Sequence, residues 1–151
     1  MSQLTVPSNI IVAPILNGDV SAGAAISASK LQQQRVLTTD FDLDRGDTPV
    51  AADKTVFVAP SGGTLVRFGC MLANTGTTTD IDFDLQINGT TVLTAPVNIT
   101  NTESNDTIVN GTITGSVVNA GDVISVVVTV TTSTGAQGPF VQIFMDEAPV
   151  T

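Results

Sequence analysis

Apolar and polar residues alternate with a period of two through most of the chain. The clearest run is Asp80 to Ile87, where Ile81, Phe83, Leu85 and Ile87 point one way and Asp80, Asp82, Asp84 and Gln86 the other. That is the pattern of a strand with one buried face. Asn88-Gly89 follows at once, a hairpin turn whose two residues tolerate positive φ, and Thr90 to Ala95 returns. Thr55 to Val58 predicts a short strand ended by Pro60-Ser61-Gly62-Gly63, and Thr64 to Leu72 a longer one closed by a Gly/Thr turn over Asn74 to Thr79. Further strands are expected over Thr107 to Thr114, Ser116 to Val118, Val123 to Thr132 and Phe140 to Met145. Turns at Asn119-Ala120-Gly121-Asp122 and a loop over Ser133 to Pro139 separate them. About seven or eight short strands in about 95 residues is the spacing of an antiparallel β-sandwich or jelly roll.

The first 50 residues differ. Met1 to Leu16 places Ile10, Ile11, Val12, Ile15 and Leu16 around Pro7 and Pro14. Two prolines so close exclude a helix and remove ladder donors, so this reads as an extended arm. Ala22 to Val36 is the one candidate helix, with Ser21 as its cap and a narrow stripe of Ile26 and Leu31 that must dock on something. Asp40 to Asp44 again alternates, with Phe41 and Leu43 on the inward side, and predicts a half-buried strand. The organisation expected is therefore an arm with a short helix over 1–50 and a mainly β, jelly-roll-like sandwich over 51–151.

Composition removes whole classes of function. The chain has 14 acidic and 5 basic residues and a formal net charge of -9. It has no His, Trp or Tyr and one Cys. Without His there is no imidazole base, no Ser-His or Cys-His pair and no His metal ligand. One Cys allows no intrachain disulfide, and Cys70 reads as a buried thiol. Five cations disfavour nucleic acid. No apolar run approaches the roughly 18 residues of a membrane helix, and no secretory signal is recognised at the N-terminus. The expectations are no enzyme, no cofactor, no nucleic acid and no membrane. The six Phe fall mostly in apolar strand-like stretches, where a core role is favoured.

Two acidic rows carry the remaining chemistry. Asp40/Asp42/Asp44 and Asp80/Asp82/Asp84 would each line one strand face at about 6.6 Å intervals. The bland reading is a solvated face. The others are contacts to a basic partner, or calcium, although the first row makes a poor EF-hand because Ala51 stands where a bidentate Glu is needed. Arg45-Gly46-Asp47 spells an integrin-type tripeptide, a match common by chance. Val123 to Val128 is apolar on both faces, which calls for cover on both sides, one cover being open to a neighbouring subunit.

Asn17-Gly18-Asp19-Val20 through Ala24-Ala25-Ile26-Ser27-Ala28-Ser29-Lys30-Leu31 resembles a segment of virion structural proteins of tailed bacteriophages. Val56-Phe57-Val58-Ala59-Pro60-Ser61-Gly62-Gly63-Thr64-Leu65 and Val118-Asn119-Ala120-Gly121-Asp122-Val123-Ile124 are similar to strand-turn phrases of phage jelly-roll modules. The resemblance implies a capsid or tail component. Within that class, the short chain, the arm and the missing Trp and Tyr favour a capsid decoration (cement) protein over a tail-fibre or receptor-binding piece. The expected partners are the major capsid protein and further copies in a homotrimer, on the outer surface of the capsid. The residues expected at partner contacts are Ile10, Ile11, Val12, Ile15, Leu16, Ile26, Leu31, Asp80, Asp82 and Asp84.

Overall fold

The computed structural model describes residues 33–147. In chain order the strands are β1 (Gln33–Thr39), β2 (Ala52–Val58), β3 (Gly63–Ile87), β4 (Thr90–Thr91), β5 (Val97–Thr100), β6 (Val109–Gly111), β7 (Val117–Val118) and β8 (Val123–Glu147). The described chain is mainly β without a helix, and every strand pairing is antiparallel.

The framework is set by two strands of 25 residues, β3 and β8. They pair along their whole length, from Gly63 opposite Glu147 to Ile87 opposite Ile124. The turn expected at Asn74 to Thr79 and the loop expected at Ser133 to Pro139 are therefore corrected. Both segments continue their strands and bend them. Gly76, Gly135 and Gly138 have φ of 69°, 74° and 61°, the left-handed region that glycine enters without steric cost. Gly76 and Gly135 kink the ladder where its register slips between Thr75 and Thr78, as a bulge does.

The kink divides the sheet into two halves. The first contains β1, the end of β8, the start of β3, β6 and β7. The second contains β2, the start of β8, the end of β3, β4 and β5. The sheet curls until the halves face each other. Leu93 bridges Ile113, and the Phe41 and Phe83 ring centres lie 6.2 Å apart. At Gly111 a Cβ would come within 2.9 Å of Val97 and 3.0 Å of Phe68, so a larger residue there would push those side chains aside where β6 meets β5. Phe68, Cys70 and Leu72 of one half meet Ile81, Phe83 and Leu85 of the other in a closed core with Ile124, Val126, Ile143 and Met145. Each large side chain fully buried there contributes about 1.5–3 kcal/mol.

Three N-terminal expectations change. Gln33 to Val36 belongs to β1 and not to a helix, because these residues pair with Glu147 to Phe144; a tertiary ladder overrides weak helix propensity. Residues 22–32 of the expected helix, and the whole extended arm before it, lie outside the described residues. Asp40 to Asp44 is not a strand. Phe41 and Asp42 take φ of 61° and 62°, and the chain turns so that Phe41 enters the core. Thr39 Oγ1 and Asp40 Oδ1 accept the amides of Phe41 and Asp42, which supports this strained turn. Of residues 33–50, expected in the arm, Gln33–Thr39 thus form a strand of the sheet and Phe41 enters the core with Leu43 packed against it, while most of the rest is exposed turn.

Candidate interaction surfaces

The alternation of β3 places Asp80, Asp82 and Asp84 on the outside of the second half, behind Ile81, Phe83 and Leu85. Their mutual repulsion is relieved by neutral donors. Asn98 Nδ2 on β5 donates to Asp80 Oδ1 at 2.7 Å and to Asp82 Oδ1 at 2.8 Å. Asp84 accepts from the Thr91 hydroxyl at 2.5 Å and from Gln86 Nε2 at 2.9 Å. Across β8, Asp53 and Asp84 flank Val127. The acidic residues do not form, among the described residues, a group of three placed to hold a metal ion.

The other acidic row builds turns. Asp42 pairs with Lys54. The Asp47 carboxylate accepts the Asp44 amide at 2.8 Å. Arg45 Nη2 donates to both carboxylate oxygens of Asp106, at 2.7 and 2.6 Å, which raises the already high pKa of the guanidinium. The Gly46 carbonyl accepts Gln137 Nε2 and the Asp47 carbonyl accepts the Gly138 amide, both at 2.9 Å. Arg45-Gly46-Asp47 is thus anchored along its length, as a corner of the fold.

The outside of the first half was not foreseen. Val141, Ile143 and Met145 fill the core, so the intervening Phe140, Gln142, Phe144 and Asp146 face outward. Phe140 and Phe144 therefore depart from the core role favoured for most of the Phe. A register shift between Leu65 and Arg67 turns both Val66 and Arg67 outward. The Arg67 guanidinium lies over the Phe144 ring at 3.9 Å, a cation–π contact. Val36, Val66 and Val117 are 51%, 50% and 69% exposed on or beside this face. A depression of about 230 Å³ opens among Gln34, Val66, Arg67 and Phe144. The sequence signal was present: Phe140-Val141-Gln142-Ile143-Phe144-Met145 has apolar residues on both parities, so one set must face out of a one-sided strand.

Other titratable groups serve structure. Burial pushes the Cys70 thiol well above its ordinary range, which keeps it protonated and unreactive. Glu147 is buried and pairs with Arg35 at 2.7 Å, while the same guanidinium lies 4.9 Å from the Phe57 ring on β2. That residue ties the two halves together. In the turn before β8, Asp122 accepts the Asn119 amide at 2.7 Å and the Asn88 side-chain amide at 2.8 Å, which hold its carboxyl below the ordinary aspartate range. Among the expected contact residues, only Asp80, Asp82 and Asp84 come together on a described surface; Ile10, Ile11, Val12, Ile15, Leu16, Ile26 and Leu31 lie outside the described residues.

No family model matches the chain, and no curated protein matches it. Among solved structures it is similar to a chain of the cyanophage Pam1 capsid asymmetric unit. The TM-score is 0.53 at 16% identity, over 87% of this chain and 99% of that one. At that identity the likeness is one of fold.

Proposed function

We propose that the protein is a phage capsid decoration (cement) protein, built on a jelly roll, that binds the outer head surface as a homotrimer and stabilises contacts between capsomers. The carrying observation is the fold likeness to a chain of a phage capsid, nearly complete over both chains. The strand pairing supports the jelly-roll reading. β1 pairs with the end of β8 and β2 with its start, while the start of β3 pairs with β6 and its end with β5. First-with-last pairing of this kind is what rolling a long ribbon produces.

The role is mechanical and not catalytic. The chain has no His, and its one thiol is buried and protonated. The residues before β1, with Ile10, Ile11, Val12, Ile15 and Leu16, supply contacts to a neighbouring capsomer, while the sheet supplies a rigid body. Repetition over a shell turns many weak contacts into a strong one. The acidic balance suits a basic partner patch and avoids the packaged nucleic acid. A cryo-EM map of particles containing the chain tests this. Threefold clusters of the sheet on the outer head surface are the expected result. Density confined to the tail, or to the head interior, refutes it.

A further inference from the structure

We propose that the outer face of the first half is the docking surface, and that it fits a shell-protein surface that is apolar around one carboxylate, which Arg67 receives. In naming a shell protein the inference rests on the capsid reading; the face and its chemistry rest on the geometry alone.

The charges single out Arg67. Arg35, Arg45 and Lys54 each have a carboxylate within the molecule. Arg67 has no ion pair among the described residues, and its guanidinium is spread on Phe144 instead. Stacking fixes the plane of the cation and leaves its edge N–H groups free to donate. Such an edge matches a carboxylate with two parallel hydrogen bonds. The register shift that turns Val66 outward beside it is also the usual device for re-aiming a side chain. An aromatic ring, an arginine and exposed valines around a depression of about 230 Å³ form the kind of centre that dominates protein interfaces. A single aliphatic side chain of the partner fits such a depression.

The outer face of the second half has the opposite character. Asp80, Asp82 and Asp84 already accept hydrogen bonds from Asn98, Thr91 and Gln86, and burying that row would require several carboxylates to be desolvated at once.

The test places a photo-reactive benzoylphenylalanine at Val66 in the full chain, and separately at Asp82, in assembled particles. Crosslinked peptides are then identified by mass spectrometry. Val117 provides a second position on the same side if the Val66 variant fails to fold. Crosslinking from the first-half position to an aliphatic peptide with an Asp or Glu in a different protein is expected, with none from Asp82. Arg67→Ala should weaken attachment roughly 30-fold, the size of a hot-spot truncation, with an unchanged melting temperature. Arg67→Glu should abolish attachment, and reversing the partner's carboxylate to Arg should restore it. Crosslinks only to another copy, to nucleic acid or from Asp82, or no crosslinks, overturn the inference. A crosslink to a tail protein refutes the capsid reading and leaves the face and its anchor standing.

Discussion

Replacing Gly76 by Ala tests the kink on which the architecture depends. Gly76 has φ of 69°, where a side chain costs about 1–2 kcal/mol. A Cβ there would also stand 2.4 Å from the Thr134 carbonyl oxygen and 2.6 Å from the Ala136 amide nitrogen. Both obstacles are backbone of the paired strand, so no flexible side chain can yield. Overpacking of this kind costs about 1–3 kcal/mol more. Gly89→Ala is the matched control. Its φ is 77°, but nothing lies within 4 Å of the added Cβ, so it pays the dihedral cost alone. The gain from restricting the unfolded chain is common to both and cancels in the comparison. The two variants should therefore differ by about 2 kcal/mol, or about 6 °C in melting temperature for a chain of this size. The chain has no Trp or Tyr, so far-UV circular dichroism or calorimetry is the suitable probe. Equal melting of the two variants would show that the strands do not cross as closely at the kink as described.

Two further perturbations probe the ends of the sheet. Arg35→Met removes the ion-pair partner of buried Glu147 and should cost about 2 kcal/mol by urea denaturation, most of it recovered in Arg35→Met/Glu147→Gln; a double variant no better than the single would refute the pairing. Asp122 titrates below the ordinary value of 3.8 in the folded protein, chiefly through the Asn119 amide and then the Asn88 side chain. Its contribution to stability is thus fully present above the unfolded value and lost as pH falls through the lower folded one. A carboxyl-carbon NMR titration should give a midpoint below 3.8, and a midpoint at or above it would refute these contacts.

Local signals made part of this legible. Ile81, Phe83 and Leu85 against Asp80, Asp82 and Asp84 announced a one-sided strand, and Asn88-Gly89 announced its hairpin, because both depend on neighbours within a few residues. The kinks were illegible for a definite reason. A glycine at positive φ suits a reversal and a bulge equally, and only the long-range pairing of Thr75 with Ala136 decides. The same holds for β1, whose glutamines suit a helix until Glu147, more than a hundred residues away, offers a ladder. Of the surfaces, the acidic row was read from periodicity. The Arg67–Phe144 stack was missed because it needs a register shift and two strands distant in sequence.

Because β3 and β8 each pass through both halves, neither half owns its central strands. Melting one would strip its facing partner of its hydrophobic cover and free the ends of the two strands that run on into it. The described body should therefore unfold in one step, and amides on the two sides of the kink should exchange with deuterium at a common, global rate.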